Sequence, residues 1–182
     1  MVRGFLASVS IAVWLLTQVA GQSGTSPTVL AIDAANSHVL IQVGKTGLFG
    51  FAGHAHEVAT TGVRGRVTFD LADLQRASVS LEFAAAALRV TGKDEPPADL
   101  PEVQKVMLSD RVLDVARFPT IGFSSRRVSV TARTAGTADV VVEGDMTLHA
   151  TTRPMTIRAS LTLDVGGRIT ARGSFVLKQT DF

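Results

Sequence analysis

The chain of 182 residues contains no cysteine. Disulfide frameworks, thiolate zinc sites, iron–sulfur clusters, thiol nucleophiles and lipid attachment at a lipobox cysteine are therefore all excluded. An excess of charge of one sign is missing too, since 18 Lys+Arg stand against 16 Asp+Glu for a formal net charge of +2. So balanced a chain lacks the broad cationic surface that nucleic acid requires, and no nucleic-acid partner is expected. No apolar run reaches the roughly 20 residues that cross a bilayer as a helix. Internal repeats, low-complexity tracts and a second composition zone are absent as well. What is present is apolar enough to fold: 46% hydrophobic and 19% charged residues, with a mean hydropathy of +0.27, lie outside the range of disordered chains. The length fits one domain.

The N-terminus has the layout of a secretory signal peptide. Arg3 supplies a short positive region, an apolar run follows from Phe5 through Ile11, Val13, Trp14, Leu15 and Leu16, and small residues appear at Val19, Ala20 and Gly21. Cleavage after Gly21 is expected, with an uncleaved anchor as the alternative. A single Arg before the run gives the twin-arginine route no support. Residues 22–28, rich in Ser, Thr, Gly and Pro, read as a flexible leader, and residues 29–182 as one domain. The mature chain, nearly neutral, is expected in the periplasm or secreted.

That domain reads as a succession of strands. In Thr156 to Val165, Ile157, Ala159, Leu161, Leu163 and Val165 alternate with Thr156, Arg158, Ser160, Thr162 and Asp164. Side chains of a strand point to opposite faces with a period of two, so this segment has one dry and one wet face. The same pattern places Val140, Val142, Gly144, Met146 and Leu148 on a dry face, and likewise Ile169, Ala171, Gly173, Phe175 and Leu177. Val63, Gly65, Val67 and Phe69 follow it, as do Val79, Leu81 and Phe83, and Val39, Ile41 and Val43, although Leu40 interrupts the last. Between Ile121 and Ala132 the apolar register shifts from odd to even near Ser124 and Ser125, the mark of a bulge or sharp bend. One helix interrupts the strands: Asp99 is placed to cap it, Val103, Val106, Met107 and Leu113 fall at helical spacing, and Pro119 ends it. Gly166-Gly167 signals a tight hairpin.

Seven or eight strands with one apolar face each must stack as two sheets or curl into a barrel. Several inward positions are very small: Gly65, Gly144, Ala159, Ala171 and Gly173. They leave either an internal space or bends in the strands. If a space exists, its lining is aliphatic and aromatic, and an apolar guest is its natural occupant, each buried methylene contributing about 0.8 kcal/mol.

Several segments resemble the YceI-like family. They are Ala31-Ile32-Asp33 with Ser37-His38-Val39, the stretch Val112 to Ser125 containing Phe118-Pro119-Thr120, the stretch Val142 to Met155, and the closing Leu177-Lys178-Gln179-Thr180-Asp181-Phe182. The segment ending in Phe118-Pro119-Thr120 is the most specific. The resemblance implies a mainly β protein, an extended antiparallel lipocalin-like β-barrel with one short helix, exported to the periplasm and holding a polyisoprenoid lipid as ligand with no other cofactor. The chain departs from the family at Ala150, where glycine is usual, and at Gln179, where arginine is common. Family members usually continue for another strand or two. An end at Phe182 therefore implies a truncated chain or a barrel incomplete at the C-terminus, open on one side or completed by a partner such as a second copy through the open sheet edge.

The apolar residues expected to line a ligand site are Val39, Ile41 and Val43; Phe69; Val79, Leu81 and Phe83; Ile121 and Phe123; Met146 and Leu148; Ile157 and Leu161; and Phe175. For the four phenylalanines among them, plain core packing is the alternative. The strongest polar candidate is Gly53-His54-Ala55-His56-Glu57, where His54 and His56 fall on one face of a strand. Two imidazoles so spaced either contribute to a Zn²⁺ or Cu²⁺ site, which needs a third ligand such as His38 or His149, or lie at the barrel rim, orienting a lipid head group or hydrogen-bonded to backbone and water. Ser37 and His38 face opposite ways and cannot act as nucleophile and base. Gly44-Lys45-Thr46-Gly47 lacks the spacing of a phosphate loop. Arg126-Arg127, Arg64 and Arg66 read as solvated faces, and Asp94 and Glu95, beside Pro96-Pro97, as a solvated loop. Two functions compete: a non-enzymatic carrier of a long apolar lipid, polyisoprenoid or isoprenoid quinone, and a metal-binding protein or metal-dependent enzyme built on His54 and His56. A filled barrel meeting another protein through its unfinished edge is the third reading.

Overall fold

The computed structural model describes residues 7–16, 27–44, 56–70, 73–93, 95–164 and 166–182. Its strands are β1 (Ala7–Leu16), β2 (Thr28–Ile32), β3 (His38–Val43), β4 (His56–Thr61), β5 (Arg64–Phe69), β6 (Ser78–Ala84), β7 (Arg89–Val90), β8 (Thr120–Arg133), β9 (Thr137–Leu148), β10 (Thr151–Leu163) and β11 (Ile169–Leu177), with one α-helix, α1 (Leu100–Leu108). Among the described residues no helix is long and apolar enough to cross a membrane.

All pairings are antiparallel. Six of the short strands form three consecutive pairs, each pair sharing one run of the sheet. The β2 and β3 strands follow each other along one side of β1, with Ile32 opposite Leu15 and His38 opposite Ala12. On their far side β5 pairs with β2 and β4 with β3, while β6 pairs with β5 and β7 with β4. Followed by β8, β9, β10 and β11, these runs form a seven-strand antiparallel sheet curled into a half-barrel. The remaining strand, β1, lies between β11 and β3: Ala7 to Leu15 face Leu177 to Ile169 on one side, and Ala7 to Ala12 face Val43 to His38 on the other. The segment read as an apolar signal sequence thus spans the seam of the sheet.

The breaks within the runs have local causes. Between β2 and β3 the Asp33 carboxylate accepts from the Asn36 side-chain amide at 2.8 Å and the Ala35 N–H at 3.2 Å, closing a turn beside fully buried Ser37. The Asn36 bond, with those from the two backbone amides, holds the Asp33 carboxyl below its ordinary range. Gly62 (φ 76°) joins β4 to β5 in a conformation that favours glycine. In β8 the register slips between Ser125 and Arg127, and the inward set changes from Ile121 and Phe123 to Val128 and half-buried Val130. This is the bulge that the shift in apolar register anticipates.

Two of the small inward residues are required by close approach. A Cβ on Gly144 would lie 2.3 Å from the Ser124 carbonyl oxygen and 2.6 Å from the Phe123 ring, and one on Gly65 would lie 1.9 Å from the Ser80 oxygen. Gly173 is also tightly placed, since a Cβ there would lie 3.0 Å from the Arg158 carbonyl oxygen and 3.1 Å from Ile157, whereas Ala159 and Ala171 border a cavity.

The helix is shorter than its apolar spacing suggests. It buries Val103, Val106 and Met107 and ends at Ser109, whose N–H bonds the carbonyls of Lys105 and Val106. Leu113 lies beyond it, in turns centred on Asp114 (φ 43°). Asp99 occupies the N-cap position through its carbonyl, which accepts from Glu102 and Val103, and its side chain makes no capping bond. The β9–β10 hairpin turns on His149 (φ 51°) and Ala150 (φ 56°), both left-handed. There two of the segments that resemble the family meet, with the Phe118 and His149 rings 4.1 Å apart. An L-residue with a Cβ is strained in this conformation by about 1 kcal/mol. Ala150→Gly is therefore expected to stabilise the protein by about 1 kcal/mol, read as a rise in the midpoint of urea unfolding with an unchanged slope.

Candidate functional site

The inward residues divide into two zones along the barrel axis. At one end Val39, Val43, Ile121, Met146 and Phe175 are buried in a packed core that includes Met107 of α1, and Ile41, Phe83 and Leu148 pack against it. The helix is fastened there by Gln104, whose side chain accepts from the Val90 N–H at 2.9 Å and donates to the Leu88 carbonyl at 3.0 Å. At the other end the sheet encloses a cavity of about 130 Å³. Phe69, Val79, Leu81, Phe123, Ile157 and Leu161 of the expected lining border it. So do Val67, Val140, Val142 and Ile169, which the period-two pattern puts on dry faces but which are not among the expected lining residues, and Val128, Leu74 and Ala77, the last two from the turn before β6. The small residues Ala159, Ala171 and Gly173 border the space on the β10–β11 side. Apart from the backbone of Gly173, every described residue bordering it carries a purely hydrocarbon side chain. A space of this kind stays dry and accepts an apolar guest.

A smaller cavity of about 60 Å³ adjoins the first and shares Leu74, Leu161 and Ile169 with it. It is bordered by the β8–β9 hairpin, residues 133–138, and by Leu163. This one is mixed in character, with Arg133, Thr134 and Thr137 among the residues that border it.

The histidine motif lies at the opposite, packed end. His56 opens β4 and is 2% exposed. Its Nδ1 lies 2.7 Å from Glu95 Oε1, and both side chains are 1% exposed. The reading of Glu95 as solvated is thus corrected: the chain after β7 folds back and inserts this carboxylate beside the imidazole. The same return is held by Glu57, which accepts from the Thr91 hydroxyl at 3.0 Å and faces Lys93 Nζ at 3.5 Å. His54 and Asp94 lie outside the described residues. Neither His38, at the start of β3, nor His149, in the β9–β10 turn against Phe118, is grouped with His56: among the described residues no three His, Cys, Asp or Glu side chains are placed to hold a metal ion. Arg64, Arg66, Arg126 and Arg127 are exposed, and Arg126 pairs with Asp145 at 3.4 Å.

The described residues thus form an antiparallel sheet curled around a space lined by hydrocarbon side chains. The chain belongs to the YceI-like family, whose YceI-like domain matches residues 30–182. At the level of that family it is a β-barrel lipid-binding protein. The crystal structure of Burkholderia cenocepacia BcnA is similar over 94% of this chain and 96% of that one, at 9% identity and a TM-score of 0.45. No curated protein matches the chain.

Proposed function

We propose that the protein binds and carries, or sequesters, a long apolar lipid of the polyisoprenoid or isoprenoid-quinone type, without catalysing a reaction. The observation that carries this reading is the hydrocarbon-lined cavity enclosed by β5, β6, β8, β9, β10 and β11. Binding follows from burial of chain carbons, about 0.8 kcal/mol for each methylene. Membership of a family of binding proteins supports the absence of chemistry, and the burial of His56 against Glu95 is in keeping with a structural role for that histidine. Organic extraction of the purified protein followed by mass spectrometry tests the proposal. A polyisoprenoid or quinone recovered in proportion to protein supports it, and an extract with no apolar lipid above that of an unrelated purified protein overturns it.

The protein is proposed to act in the periplasm or outside the cell, after cleavage behind Gly21. Cleavage would withdraw β1 and leave β3 and β11 as facing sheet edges. Exposed edges pair with further strands, and a second copy of the chain is the proposed cover. Residues 22–182 are accordingly expected to elute as a concentration-dependent dimer in size-exclusion chromatography, while the full chain stays monomeric.

A further inference from the structure

A third hollow opens where two runs of the sheet are interrupted side by side. The β5 and β6 strands are paired as far as Arg64 and Glu82, and β4 and β7 are paired only from Ala59 and Arg89 onward. Between these points the ladder lapses. Gly62 (φ 76°) turns the chain on one side, and Ala85–Ala87 form a single 3-10 turn on the other. Val63, Ala85 and Leu88 are buried at the gap, whereas Gly62, Ala84 and Ala87, with little or no side chain, border a cleft of about 300 Å³. Small-molecule sites begin at about this volume. A Cβ at Gly62 would meet nothing within 4 Å, so the cleft is open on that side. Its walls are tied to neighbouring segments: the Gly62 N–H bonds the Ala34 carbonyl at 3.2 Å and the Ala85 N–H bonds the Pro119 carbonyl at 2.9 Å. None of the residues bordering it borders either interior cavity.

Arg64 and Glu82 border this cleft from adjacent strands, directly opposite each other in register. Opposite charges so placed ordinarily pair. Here both residues are exposed, and among the described residues neither makes an ion pair, with the other or with any third group. Arg66, two positions along β5, does not border the cleft. Phe83 and Thr120 do, beside the two alanines. We infer that the cleft binds a free amino acid with a short apolar side chain, its carboxylate on Arg64, its ammonium on Glu82 and its side chain against Phe83, Ala84 and Ala87. A zwitterion answers a cation and an anion at once through charge-assisted hydrogen bonds. A simple anion or a simple amine meets one opposite charge and one like charge, and the second offsets the first. This site is independent of the lipid-carrier reading.

Titration of the isotope-labelled full chain at low ionic strength tests this, with the amide resonances of Thr61, Glu82 and Thr120 followed by NMR. The probes are L-leucine, isocaproate, which lacks its amino group, and isoamylamine, which lacks its carboxylate. L-leucine is expected to bind about 5-fold more tightly than either analogue, the scale of an exposed charge pair. Arg64→Gln should erase the preference over isoamylamine and keep that over isocaproate, and Glu82→Gln should do the reverse. Ala84→Trp, at an exposed strand position that accepts an aromatic ring, should abolish binding of all three probes while the remaining amide spectrum keeps its dispersion. No saturable shift of these resonances with L-leucine, an analogue that binds as tightly as L-leucine, preferences unaltered by the two glutamine variants, or binding that survives Ala84→Trp overturns the inference.

Discussion

Ala171→Phe is expected to abolish lipid uptake in a protein that remains folded. Ala171 sits on β11 opposite Leu161 of β10, and both border the inner cavity. A benzyl group added there fills space that is already apolar and of about the right size, so the usual cost of overpacking is largely offset by the surface it buries. Stability should stay within about 1 kcal/mol of the wild type. Uptake of a polyprenol, by contrast, loses the volume that receives the chain and should fall at least 10-fold. The companion substitution Leu161→Asp places an unpaired charge on the same wall, at a cost of several kcal/mol. It should remove uptake as well, but together with folding. Ala171→Phe is the more informative of the two because it separates the cavity from the stability of the sheet. Uptake at the wild-type level by a folded Ala171→Phe protein would place the guest somewhere other than this cavity.

The second large effect concerns stability. Glu95→Ala is expected to destabilise the protein by about 3–5 kcal/mol, because it removes one member of a buried hydrogen-bonded pair and strands the other. The His56 and Glu95 side chains are both 1% exposed at 2.7 Å, so water cannot replace the lost partner without opening the packed end. The change also frees the return between β7 and α1, whose remaining ties to β4 run through the exposed Lys93 and Thr91 contacts of Glu57. Replacing both residues by apolar ones, as in His56→Leu with Glu95→Leu, should recover much of the loss, since no buried polar group then lacks a partner. Equilibrium urea unfolding of the two single variants and the double variant measures this. Additive losses would show that the pair contributes nothing as a pair.

These two results bear on the two zones of the interior, and the zones differ in how far the sequence reveals them. Strand faces were legible because period two is a local property. Ile157, Ala159 and Leu161 point inward as their alternation requires, and the slip at Ser124 and Ser125 marks the bulge of β8. What alternation cannot carry is which inward residues touch one another and which border a void. Phe175 and Ala171 have the same parity on one strand, yet the first is core and the second faces the cavity. The difference lies in the level each residue occupies along the strand and in what other strands and loops bring to that level, which parity does not encode. Val128 and Val140 lie beyond the bulge or at the far end of their strands, and only strand pairing brings them to the cavity wall.

The polar candidates illustrate the same limit. Strand parity places His54 and His56 on one face but is silent on what fills the space in front of it. For His56 that space holds Glu95, 39 positions later in a Pro-rich stretch with no periodicity of its own. Conversely, Val9, Ile11, Val13 and Leu15 do alternate with Ser8, Ser10, Ala12 and Trp14, but an apolar segment behind an initial Arg reads first as a targeting signal. Its pairing with β11 and β3 becomes visible only once the rest of the sheet is assembled.

The central claim is that the cavity beneath β10 and β11 receives the apolar chain of a lipid. Native mass spectrometry of the delipidated protein mixed with a polyprenol measures this most directly. The expected result is a saturable adduct of one lipid per protein chain in the wild type, absent from folded Ala171→Phe. No adduct in the wild type, or an equal one in both proteins, would contradict it.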